Sequence, residues 1–123
     1  PTCARRAGVD GVQTRDVVDA MTRASGVAIR DLRVDGGAAV MNLMLQLQAD
    51  QLGVDVLRPT ELETTAIGAA YLAGLAEGVW GSTDDIAERW ALERRFSPSG
   101  AERDTPHAHW LRAVERSRGW IQA

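Results

Sequence analysis

The sequence predicts an α/β fold organised around a parallel strand–helix–strand unit. Three observations carry that reading. Ile29 to Val34 is a short strand-like run that ends on Asp35-Gly36-Gly37. Ala38 to Leu52 follows as a helix that is apolar on more than one face, through Val40, Met41, Leu43, Met44, Leu45, Leu47 and Leu52. Val54 to Leu57 is a second strand-like run stopped by Pro59. The three together take about 30 residues, the size at which two parallel strands are joined by a crossover helix.

The remaining elements follow in order. Val9 to Ser25 reads as a helix, with Val9, Val12, Asp16/Val17, Ala20/Met21 and Ala24 at helical spacing. Gly8 and Gly11 weaken its first turns by about 1 kcal/mol each against alanine, and Gly26 is placed to end it. Gly53 is placed to end the second helix in the same way. Thr64 to Gly78 is a third helix with unusually small side chains, from Ala66, Gly68, Ala69, Ala70, Ala73, Gly74 and Ala76. Two interior glycines cost helix stability unless close approach of another backbone returns it, so this helix is the expected seam against a neighbour. Ser82-Thr83-Asp84-Asp85 offers caps for a short helix through Trp90. Glu93 to Phe96 reads as an edge strand and Ser97 to Arg103 as a loop. Thr105-Pro106 provides an N-cap with proline at the first helical position. The last helix then carries Trp110, Ala113/Val114, Ser117 and Trp120/Ile121 on one face, a stripe that predicts docking on a core.

Composition narrows the function. The 123 residues are 45% hydrophobic and 25% charged with a net charge of −3, a soluble globular mixture without a basic run to favour nucleic acid. All 14 basic residues are arginine, so lysine is unavailable as a nucleophile or phosphate clamp. Cys3 is the only cysteine, which rules out an internal disulfide and reads as a bystander. No apolar run approaches a membrane span, and the first residues lack the apolar segment of a secretory signal. A cytoplasmic protein without membrane or nucleic-acid partners is expected.

The stretch with chemical content is Leu32-Arg33-Val34-Asp35-Gly36-Gly37-Ala38. A strand delivers two glycines to the start of a helix. Glycine removes the side chain that would hold a ligand off, and a helix N-terminus offers free N–H groups and a positive dipole end to a phosphate or a ribose hydroxyl. A bare Gly-Gly serves equally as a tight turn without a ligand, and neither a Walker A motif nor a full G-x-G-x-x-G is present. Asp35 could orient ribose hydroxyls or a metal-bound water, or it could cap the following helix. His107 and His109 form an H-x-H pair with no third histidine, too few ligands for a metal site, and are expected to be solvated. Glu61, Glu63, Asp84 and Asp85 lie near helix starts, where capping and dipole complementarity account for them.

Four stretches in order carry a family resemblance. They are Gln13-Thr14-Arg15-Asp16-Val17-Val18-Asp19-Ala20-Met21, Leu32 to Ala38, Gln46-Leu47-Gln48-Ala49-Asp50-Gln51-Leu52-Gly53, and Ala66-Ile67-Gly68-Ala69-Ala70-Tyr71-Leu72-Ala73-Gly74-Leu75-Ala76. The chain resembles the C-terminal part of the FGGY carbohydrate kinases, and its Asp-Gly-Gly and Gln-Thr-Arg-Asp forms are similar to those of the glycerol kinases within that family. The similarity runs from about Gln13 to Trp120 and is clearest over residues 13–80.

The resemblance implies part of an actin-like ATPase domain of the ribonuclease H-like type, with residues 1–123 as a fragment of the C-terminal kinase domain. It implies ATP as cofactor, with Asp35, Gly36, Gly37, Ala38, Met41 and Asn42 as the nucleotide-binding set. Gly36, Gly37 and Ala38 match the family turn beside the ribose and α-phosphate. Family members often place an asparagine four residues after the second glycine, against adenine; here Met41 holds that position, with Asn42 beside it. The implied parent reaction is phosphoryl transfer from ATP to glycerol, giving glycerol 3-phosphate. The polyol contacts, catalytic aspartate and Mg²⁺ site belong to a missing N-terminal portion, so no catalytic or metal-binding residue is assigned here. The chain alone is then expected to be inactive, and to associate with itself or with a complementing chain. A fragment of another FGGY sugar kinase and a noncatalytic nucleotide-binding or interaction module remain alternatives. A Rossmann-type dinucleotide enzyme is disfavoured by the missing G-x-G-x-x-G.

Overall fold

The computed structural model describes residues 2–119, with side chains from Gly8 onward. The order of elements is α1 (Thr2–Ser25), β1 (Asp31–Arg33), a 3₁₀ turn (Gly37–Val40), α2 (Asn42–Leu52), β2 (Asp55–Pro59), α3 (Thr64–Ala76), α4 (Thr83–Ala87), β3 (Leu92–Phe96) and α5 (Asp104–Ser117). Trp120 and Ile121, and the side chain of Cys3, lie outside the described residues.

The strands form one sheet in the order β1-β2-β3. β1 and β2 are parallel, with Leu32 opposite Val56 and Arg33 opposite Leu57. The Val34 amide donates to the Leu57 carbonyl at 3.1 Å and continues that pairing past the end of β1. The expected parallel unit is therefore present, with α2 as its crossover helix. β3 runs antiparallel to β2 along the sheet edge, with a register shift at Arg58/Pro59. Pro59 is the last residue of β2 rather than a stop before it. It sits where the ladder is irregular, a place that tolerates a missing N–H.

Met44, Leu45, Ala49, Val56 and Phe96 make the core, with Leu32, Val34 and Leu47 packed against it. Leu45 and Val56 are fully buried, and burying a side chain of that size contributes about 1.5–3 kcal/mol. α2 lies between this core and α1. A Cβ on Gly11 would stand 3.5 Å from both the Leu47 carbonyl oxygen and Gln51 Cγ. The glycine that weakens α1 locally thus lets its backbone lie close on α2. Val12 is buried beside it, and Gln48 Nε2 reaches Thr14 Oγ1 at 3.3 Å across the same interface.

Helix ends follow local chemistry, with several differences from expectation. Gly26 and Gly53 adopt φ of +70° and +72° and end α1 and α2. α1 continues through Gly8 back to Thr2. The second helix does not begin at Ala38: Met41, at φ −83° and ψ 95°, separates the 3₁₀ turn from α2. Ser82 and Asp85 form a reciprocal capping box, and α4 ends at Ala87, short of Trp90.

Thr105 does not cap α5. The Glu102 carboxylate accepts from the Asp104 and Thr105 amides at 2.8 and 2.9 Å, which moves the helix start forward and puts Pro106 at its third position. α3 contains no buried residue. Its Gly74 receives an aromatic ring rather than a backbone: a Cβ there would be 2.5 Å from Trp80 Nε1, and Trp80 meets Tyr71 edge-on at 6.0 Å.

Candidate functional site

The expected nucleotide set, Asp35 to Asn42, occupies the link between β1 and α2. Two hydrogen bonds set its entry: Val34 to Leu57 on β2, and the Gly36 amide to the Leu62 carbonyl at 3.0 Å. Gly36 takes φ +78° and ψ 176°, a backbone state that only glycine adopts without strain. Gly37 does not share it. The conformational demand falls on Gly36 alone, while both glycines leave the chain open, since a Cβ at either would meet no atom within 4 Å. Ala38 is exposed and Ala39 is buried beneath the turn. The turn closes through Ala39 N to Gly36 O at 3.0 Å and Met41 N to Ala38 O at 3.1 Å.

Met41 is the N-cap of α2, its carbonyl accepting from the Leu45 amide at 3.2 Å. Val40, Met41 and Leu43 present apolar surface on both sides of the bend, with Met41 37% exposed. Asp35 does not cap α2. Its Oδ2 accepts from Thr64 Oγ1 at the start of α3, so the carboxylate is directed away from the helix that follows it in sequence.

A residue that sequence reasoning missed organises this link. Arg58 on β2 is buried. Its Nη1 donates to the Ala39 carbonyl and to Asn42 Oδ1, both at 2.9 Å, and its Nε donates to Glu93 Oε2 on β3 at 2.5 Å. The Arg58 hydrogen bond holds the Glu93 carboxyl below its ordinary range, against a smaller upward push from desolvation. Asn42 is thus an anchored side chain whose carboxamide oxygen is already engaged. Local spacing could not reveal this, because the partners lie 16, 19 and 35 residues from Arg58. The available signal was an arginine set between apolar strand residues and a proline.

Asp35 also lines a depression of about 210 Å³ with Arg33, Val34, Pro59, Thr64 and Trp90. Arg33 lies over the Trp90 ring at 4.3 Å. The two expected histidines are separate from this region. His109 is exposed, but His107 is not solvated: its Nε2 lies 2.7 Å from Asp16 Oδ1, and its side chain is 12% exposed. Among the described residues no group of three or more His, Cys, Asp and Glu side chains could hold a metal ion, and no helix is long and apolar enough to cross a membrane.

Geometry of this kind suits a ligand with a flat apolar part and a polar part. The open Gly36-Gly37 backbone admits close approach, and Val40, Met41 and Leu43 offer an apolar border. The chain is 52% identical over 122 residues to a glycerol kinase of Aromatoleum aromaticum, covering 96% of this chain and 25% of that protein. It is 54% identical over 110 residues to a glycerol kinase of Symbiobacterium thermophilum, covering 88% and 22%.

Among solved structures, Plasmodium falciparum glycerol kinase with ADP superposes with a TM-score of 0.75 at 28% identity, over 95% of this chain and 24% of that one. Xylulose kinase from Lactobacillus acidophilus superposes with a TM-score of 0.67 at 18% identity, over 86% and 23%, which supports the fold alone. The chain spans about a quarter of the length of these relatives. The fold is accordingly a partial actin-like ATPase domain, an α/β unit with a mixed sheet. Residues 6–77 match the C-terminal domain of the FGGY family of carbohydrate kinases, and the chain belongs to that family.

Proposed function

We propose that this chain supplies the adenine-nucleotide side of an ATP-dependent glycerol kinase, with residues 1–123 forming part of its C-terminal domain. The observation that carries the reading is the identity of about half of all residues to glycerol kinases over nearly the whole chain. The open Asp35-Gly36-Gly37-Ala38 turn supports it at the level of the site. Gly36 and Gly37 would let ribose and α-phosphate approach the backbone, Met41 would pack against the base, and the start of α2 would favour negative charge. Asn42 would act by fixing the helix start, since its oxygen is held by Arg58.

Bound ATP with Mg²⁺ supplies the transferable phosphoryl group. The protein's task in such transfer is positioning and charge neutralisation around that group. This chain's share is to hold the adenosine end. The acceptor hydroxyl, its proton acceptor and the Mg²⁺ contacts are assigned to the remaining three-quarters of the relatives' length, through which glycerol would be a partner. The chain alone is therefore proposed to bind nucleotide weakly and to transfer no phosphate.

A ¹⁵N-correlation titration of the 13.3 kDa chain with Mg-ADP tests the binding. Amide signals of Gly36, Gly37 and Ala38 should move first and saturably, while those of α5 stay in place. Uniform or absent shifts at millimolar ADP would return the Gly-Gly turn to a purely structural role.

A further inference from the structure

The backbone bends at Met41 between the Gly-Gly turn and α2, and one nitrogen bonds on both sides of that bend. Arg58 Nη1 holds the Ala39 carbonyl on the turn side and Asn42 Oδ1 on the helix side, each at 2.9 Å. Its Nε is fixed to Glu93 on β3, and its guanidinium lies 5.4 Å from the centre of the buried Phe96 ring. We infer that Arg58 is the positioning residue of the nucleotide cradle, setting the angle between the Gly36–Val40 turn and α2 and so the direction in which the cradle's free amides point.

Burial of a charge argues for this role over a packing role. An apolar side chain of similar volume on β2 would serve the core as well, without the cost of desolvating a guanidinium. What only arginine supplies is a rigid planar fork that serves acceptors on three separate elements at once. Two of the three acceptors belong to the link itself. The bend they straddle lies at Met41, whose amide bonds to Ala38 on the turn side and whose carbonyl bonds to Leu45 on the helix side, so the angle between the two rests on its own φ and ψ. Asp35 and Gly36 are tied independently, to Thr64 and Leu62, so the entrance to the turn is fixed without Arg58 and its exit is fixed by it.

The inference rests on the nucleotide reading above, and the test separates the two. The Mg-ADP titration is run on the wild-type chain and on Arg58→Met, Arg58→Lys and Glu93→Gln. Expected for Arg58→Met is a dispersed spectrum with displaced Ala38–Leu43 amide and Asn42 carboxamide signals before ligand is added, and ADP affinity at least fivefold weaker. Glu93→Gln removes the strand-to-strand ion pair but leaves the bonds to the link, and should keep affinity within twofold.

Arg58→Met binding within twofold of wild type would overturn the inference. So would Glu93→Gln weakening binding as much as Arg58→Met, because a tie between β2 and β3 would then suffice. If Arg58→Met does not fold, Arg58→Lys decides alone. Its ammonium ends one bond short of the place of Nη1 and cannot reach Ala39 and Asn42 together, so threefold or greater weakening supports the inference and wild-type affinity defeats it. A wild-type chain that never responds to ADP defeats the nucleotide reading and this inference together, and it does so before any variant is compared.

Discussion

His107 Nε2 and Asp16 Oδ1 meet at 2.7 Å across 91 residues of sequence, and Trp110 Nε1 donates to the other oxygen of the same carboxylate at 2.6 Å. Beside them Arg15 reaches Asp104 at 2.7 Å and the Arg103 carbonyl at 3.1 Å. α5 contains no buried residue, so its attachment to α1 is chiefly polar. His107→Ala should cost about 1–2 kcal/mol, the scale of one hydrogen bond to a partly exposed carboxylate, and should speed amide exchange along α5. His109→Ala should do neither. Urea melts with exchange mass spectrometry check both, and equal behaviour of the two variants would mean that the His107–Asp16 contact does not hold α5.

The same contacts fix a pH response. Burial pushes the Asp16 carboxyl upward, but the hydrogen bonds from Trp110 and His107 and the charges of His107 and Arg15 outweigh it, leaving it below its ordinary value of 3.8. Asp104 is also lowered, first by the hydrogen bond from Arg15. A carboxyl depressed in the folded state contributes stability that is fully present above its unfolded pKa and lost as pH falls through the folded one. α5 should therefore be held by Asp16 and Asp104 at neutral and mildly acidic pH and loosen only below about 3.8. The Trp110 indole signal followed against pH reads this directly, and Asp16→Asn should abolish the part of the transition due to Asp16.

Gly11 offers a test of the α1–α2 contact. A Cβ at Gly11 would make ordinary contact at 3.5 Å, so Gly11→Ala should be tolerated and could raise stability by up to about 1 kcal/mol through helix propensity. Gly11→Leu should instead force the helices apart and cost about 1–3 kcal/mol. Thermal melts of both variants would show opposite signs.

The two glycines of the turn should separate in the same kind of measurement. Gly36→Ala strains a positive φ that only glycine adopts freely and should cost about 1–3 kcal/mol with no ligand present. A Cβ at Gly37 meets no atom within 4 Å, so Gly37→Val should leave stability within about 0.5 kcal/mol. It should weaken nucleotide binding at least tenfold, about 1.4 kcal/mol. Met41→Ala should be milder, because only packing against the base is removed. Unchanged ADP affinity in folded Gly37→Val would place the ligand elsewhere.

The isolated chain, incubated with ATP, Mg²⁺ and glycerol, should show no phosphate transfer above a blank in a coupled assay. Clear turnover would mean that acceptor and catalytic groups lie within these residues after all.

Local pattern was enough to place the main helices and strands in order. Periodicity separated helices from strands, Gly26 and Gly53 marked helix ends because a left-handed residue suits glycine, and strand–helix–strand spacing matched the size of a parallel pair. It also located the Asp35-Gly36-Gly37 link, because two glycines after a strand are a local signal. Tertiary structure decided the rest. It put the positive φ on Gly36, broke the helix at Met41, turned Asp35 toward Thr64, and gave His107 a partner in Asp16. It alone brought Arg58 to Ala39, Asn42 and Glu93. These are contacts between residues far apart in sequence. A long polar side chain takes its role from the acceptors that folding brings within its reach, and no pattern around position 58 encodes which acceptors those are.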